Sequence, residues 1–170
     1  MRRLLVTLAV VLAGAVSTLV GQAPGRPAVY TAEQAAAGLM ELKRNTFGAC
    51  TDCHTTSLTG REGDVAELPP VSSLPGEYQN LINGNGGKVP ALVGPTFVTR
   101  WAARTTRNLS TEFLERFGPR TAHLSEETRL NLIAYILRAN GALPGTQPLT
   151  MTTDVEIRTV LPVGPPNSNQ

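Results

Sequence analysis

Residues 50–54 read Cys50-Thr51-Asp52-Cys53-His54, and these two cysteines are the only ones in a chain of 170 residues. Two thiols three residues apart can each add to a vinyl group on one edge of a porphyrin, and the residue that follows offers an imidazole to the iron. That is the attachment signature of c-type haem. Three other chemistries use closely spaced cysteines. A thioredoxin-like redox pair needs a strand leading into a helix, and none is predicted here. A zinc half-site needs further ligands that the chain lacks. A local disulfide, which two cysteines form in an oxidising compartment, gives no role to the adjoining histidine.

Working outward, the residues before the motif predict a helix. Thr31 is a good N-cap with Gln34 at the capping-box position, and Ala35, Ala36, Leu39, Met40 and Leu42 carry the helix to about Asn45. Gly38 in its interior costs about 1 kcal/mol against alanine, which is tolerable where another helix must approach closely. Phe47 to Arg61 reads as a loop. Residues 62–89 hold Pro69-Pro70, Pro75-Gly76 and Asn83-Gly84-Asn85-Gly86-Gly87, so loop is predicted there, with one helical turn at Glu77–Ile82 and an extended run from Pro90 to Pro95. Leu109, Phe113 and Phe117 fall at helical spacing, with Gly118-Pro119 as the expected stop. Ser125 caps a last helix whose stripe is Leu130, Ile133, Ile136 and Leu137, and Gly141 ends it. From Pro144 onward the composition predicts an arm rather than core, with a weak strand signal at Val155–Leu161.

The N-terminal segment reads as an export signal. Arg2-Arg3 precedes an apolar run from Leu4 to Val20 that ends among small residues. Residues 4–20 are also almost long enough to serve as a membrane tether. Either way the body of the protein is expected outside the cytoplasm, in the periplasm. Arg2 and Arg3 account for the whole formal charge of +2, so the rest of the chain is neutral and has no electrostatic footprint for nucleic acid. Aromatic residues make up only 5% of the chain, so a haem would supply apolar bulk that the side chains do not.

With these residues in view, the chain resembles the small monohaem class I-like cytochromes c, in particular bacterial periplasmic domains found alone or attached to quinoprotein dehydrogenases. The resemblance is carried by Tyr30 to Gly38, Cys50 to His54, Leu58-Thr59-Gly60-Arg61, Pro90 to Pro95, Trp101, and Leu132 to Gly141. It implies an all-α cytochrome c fold of three main helices around one covalently bound haem c, occupying residues 28–143. Residues 1–23 would be the signal or anchor helix, 62–89 a loop insertion, and 144–170 an irregular C-terminal arm. It implies further that Gly38 sits where the first helix crosses the last, against Tyr135. The Pro90 carbonyl would accept a hydrogen bond from His54, and Trp101, with Arg61 or Arg104, would reach the haem propionates. The partners implied are redox proteins, a dehydrogenase or a terminal acceptor.

One departure concerns the sixth iron ligand. The family supplies a methionine shortly before the last helix, and this chain has none between Met40 and Met151; Phe117 stands in the expected place. Three readings stand: His123 ligates the iron, the position holds no protein ligand, or Met151 folds back from the arm. They separate an electron carrier from a haem sensor or ligand-binding protein with an open iron site. A haem-bearing subunit of a larger complex, docked through 62–89 and 144–170, is the third functional class.

Overall fold

The computed structural model describes residues 25–43, 50–61, 68–121 and 124–163, with residues 114–121 described by backbone alone. The expected signal or anchor at 1–23 lies outside these residues, and among them no helix is long and apolar enough to cross a membrane.

The fold is all-α. In chain order the helices are α1 (Ala32–Leu42), α2 (Thr51–His54), α3 (Gly76–Gly84), α4 (Gly94–Trp101), α5 (Thr106–Thr121), α6 (Glu126–Ala139) and α7 (Ile157–Val160), with a 3₁₀ turn at Val71–Ser73. No strand occurs among the described residues. Only two isolated bridges do, Thr31 with Gly145 and Thr105 with Glu156.

The first helix begins as its sequence dictates. Gln34 N–H donates to Thr31 Oγ1 at 3.2 Å, and Thr31 N–H donates back to Gln34 Oε1 at 3.4 Å, closing a capping box. Ser125 caps α6 by accepting from Thr128 N–H at 3.1 Å. These two helices form the most extensive helix pair. Gly38 is the reason they can. A Cβ placed there would stand 2.0 Å from Asn131 O and 2.9 Å from Tyr135 Cβ. The main core grows around this crossing from Ala35 and Leu42 of α1 and Ile133, Ala134 and Leu137 of α6, joined by Phe97 and Trp101 of α4. Each large apolar side chain buried there contributes about 1.5–3 kcal/mol of transfer free energy. Tyr30, fully buried, donates its hydroxyl to Ala142 O at 2.5 Å, and burial pushes its pKa up to about 12.

Four expectations are corrected. Residues 62–89 are not simply loop: their described part contains the 3₁₀ turn and the nine-residue α3, held by a second core of Leu74, Ile82 and Val89. The helical turn expected at Glu77–Ile82 is present but extends to the full α3, because the turn-forming residues at both ends lie within the helix. Pro95 does not continue an extended run but sits in the first turn of α4, where its missing N–H costs nothing. Nor does Gly118-Pro119 stop α5, which runs on to Thr121; proline removes one backbone donor without forbidding helical φ.

The fourth correction concerns residues 144–163, which are packed onto the core by a few buried residues and are not a free arm. Leu149, Ile157, Val160 and Leu161 are all buried, and the weak strand signal proves to be α7. This strap is pinned along its length. Gly145 N–H donates to Tyr30 O, Leu149 is clamped on both backbone groups by Gln34, and Ile157 N–H donates to Arg104 O. Proline and threonine set the composition of the strap, but its few aliphatic residues decide where it lies.

Candidate functional site

His54 is the last residue of α2, a single turn of helix. Cys53 N–H and His54 N–H both donate to Cys50 O, at 3.3 and 2.9 Å, and Thr55 N–H donates to Thr51 O. Residues at i and i+3 of such a turn share a face, so Cys50 and Cys53 are presented together. They are half-buried and are not joined as a disulfide. Each packs into a different core, Cys50 against the main one and Cys53 against the cluster of Leu74, Ile82 and Val89. The motif therefore lies at the seam between the two.

The His54 Nδ1 atom lies 3.1 Å from Pro90 O. A carbonyl can only accept, so Nδ1 carries the proton and Nε2 keeps its lone pair. Burial, opposed in part by the Pro90 carbonyl, pulls the imidazole pKa down to about 4, which leaves the neutral ring that metal binding requires. Burial also pushes the Cys50 thiol up, opposite to the direction of a redox-active nucleophile.

A bracket of backbone places Pro90 where it is. Gly60, at φ 67°, packs so closely that a Cβ would stand 2.3 Å from Val89 O. Arg61 N–H donates to Val89 O at 2.9 Å, and Leu92 N–H donates to Leu58 O at 2.8 Å. Asn140 ties the far side. Its Nδ2 donates to Leu92 O at 2.8 Å and its Oδ1 accepts from Gly94 N–H at 3.0 Å, joining the end of α6 to this segment. Asn140 and Gln34 were legible from sequence only as helix-end residues. Their long-range bonds have no local signature.

Of the residues expected at the site, the structure brings Cys50, Cys53, His54 and Pro90 together. Arg61 lies beside them, with Nη2 donating to Pro69 O and reaching Asp52 O at 3.5 Å, while its Nε is buried without a partner. Trp101 and Arg104 belong to a different network. Trp101 is buried in the main core, the Arg104 and Arg100 guanidiniums lie 4.3 and 5.5 Å from its ring centroid, and both arginines are paired with Glu112. Met151 is half-buried on the main core. Phe117 lies on α5, described by backbone alone, and His123 lies outside the described residues. Among the described residues no three of His, Cys, Asp and Glu cluster as a metal site of their own.

The residues present fit a covalently held haem. Two thiols share a face, an adjoining imidazole is fixed in the tautomer that leaves Nε2 for a metal, and the buried Arg61 Nε beside the motif still has a proton to donate. No family model, no curated protein and no solved structure matches this chain.

Proposed function

We propose that this chain is an exported c-type cytochrome of the periplasm, carrying single electrons between redox proteins through one haem attached at Cys50 and Cys53 and ligated by His54. The observation that carries the reading is the Cys-x-x-Cys-His turn with His54 Nδ1 held against Pro90 O at 3.1 Å. A haem bound there supplies a reversible one-electron couple at its iron. The protein's own contribution is to hold the group. The cysteines fix its edge, and the Pro90 carbonyl orients the imidazole and strengthens it as a donor. The crossing of α1 and α6 at Gly38 is the packing expected of a cytochrome c fold, and it supports the same reading.

Residues 4–20 would direct export or tether the protein to the membrane. The partners would be a dehydrogenase on one side and a terminal acceptor on the other. Arg104 is paired with Glu112 and lies over the buried Trp101 ring, so Arg61 is the better candidate for a propionate. His123, the remaining histidine of the chain, falls between α5 and α6 in the sequence and would be the second imidazole available to the iron.

Voltammetry and absorption spectra of the purified protein test this. A reversible one-electron couple and a low-spin ferric spectrum are expected, and His123→Ala should convert the iron to high spin. No reversible couple in the wild type would end the electron-carrier reading. A His123→Ala protein matching the wild type in spin state would remove His123 from the iron.

A further inference from the structure

Thr55, the residue after His54, has φ 63° and ψ 168°. That region belongs almost entirely to glycine, and for a β-branched residue it is strained; such a conformation persists only where its surroundings over-determine it. Here they do. Thr55 is buried, its Oγ1 donates to His54 O at 2.5 Å and accepts from Thr59 N–H at 3.1 Å, and the Ser57 and Thr59 hydroxyls each lie 3.0 Å from it. Glycine would satisfy the backbone at this corner without strain. What threonine adds is the hydroxyl.

The corner governs both ends of the His54–Pro90 bond. On one side the Thr55 hydroxyl holds the carbonyl of His54, which also accepts from Gly60 N–H at 3.0 Å. On the other side the chain leaving Thr55 passes through Leu58, also at positive φ, to Gly60 and Arg61. That run lies flush on residues 89–92 through the Arg61–Val89 and Leu92–Leu58 backbone bonds. Pro90 O is therefore located by the same loop that locates the imidazole it receives. We infer that Thr55 is a positioning residue, whose hydroxyl sets the orientation of the His54 ring and the strength of its hydrogen bond to Pro90. This rests on the haem reading and assigns to one side chain the tuning of the proximal ligand.

The direction of the effect follows from the chemistry. A weaker bond from Nδ1–H to the carbonyl makes the imidazole a poorer donor, which disfavours the oxidised iron and raises the potential. The test compares Thr55→Val, Thr55→Ser and Thr59→Val in the full, haem-loaded protein, reading midpoint potential and ferric EPR g-values. Thr55→Val keeps the shape and loses the hydroxyl; its potential should rise and its g-values should move. Thr55→Ser should match the wild type, and Thr59→Val should shift the potential slightly in the same direction. A haem-loaded Thr55→Val with wild-type potential and g-values overturns the inference, as does a Thr55→Ser that shifts as far as Thr55→Val. If Thr55→Val does not fold, Thr59→Val decides, and wild-type values there overturn it. A wild type with no covalent haem sinks the functional reading and this inference with it, whereas an indifferent Thr55→Val on a haem-loaded wild type sinks the inference alone.

Discussion

Gly38 shows how much can hang on a missing methyl group. On propensity alone, alanine would improve α1 by about 1 kcal/mol. The neighbours facing that position are the Asn131 carbonyl, at 2.0 and 2.5 Å for its oxygen and carbon, and they are backbone that cannot rotate away. Overpacking of this kind costs about 1–3 kcal/mol, and here the whole of α6 must move, so the clash outweighs the propensity gain. Gly38→Ala should lower the thermal midpoint by several degrees, as about 2–4 °C accompanies each kcal/mol in a chain of this size. A midpoint raised above the wild type in a melting curve would show that the helices are not in contact there. The residue scale is also where sequence and structure agree most. Thr31, Gln34, Ser125 and Gly141 act as local signals, and local signals were readable. Thr55 was not, because its role comes from a backbone angle that no side-chain pattern announces.

At the scale of elements, α1 and α6 were legible because amphipathic spacing and caps coincide in both. By contrast, α3 and α4 are short and begin or end in glycine and proline, so the turn signals concealed α4 and left α3 legible only as one helical turn at Glu77–Ile82. The strap at 144–163 departs from its sequence pattern for a related reason. Its placement depends on Gln34 of α1 holding Leu149 and on α7 packing against α4, and contacts between distant segments leave little trace in composition. The lobe formed by the 3₁₀ turn and α3 has its own small core, with Ile82 1% exposed at its centre, and Cys53 packs on that core. Ile82→Ala should cost about 2–5 kcal/mol by leaving a cavity. Because the cluster is separate from the main core, the loss should be local. Hydrogen exchange should accelerate across residues 71–89 while α1 and α6 keep their protection. Equal acceleration in both would show that the lobe and the main core unfold as one unit.

For the molecule as a whole, the fold arranges two apolar clusters so that the Cys50–His54 turn closes the seam between them. The strap then binds the N-terminal helix to α4 and α5 from outside. Chain neutrality beyond residue 3 leaves partner choice to shape and to local groups such as the Arg100–Glu112–Arg104 network, rather than to a net field. The proposed electron transfer depends first on Cys50 and Cys53 carrying a haem. The most direct measurement is the intact mass, together with the pyridine haemochrome spectrum, of the protein produced in a host that matures c-type cytochromes and then denatured. The expected result is a mass increased by one haem that survives denaturation, a spectrum of a haem with both vinyl groups saturated, and loss of that spectrum in the double variant Cys50→Ala, Cys53→Ala. A denatured chain at its unmodified mass, with both thiols open to alkylation, would contradict it.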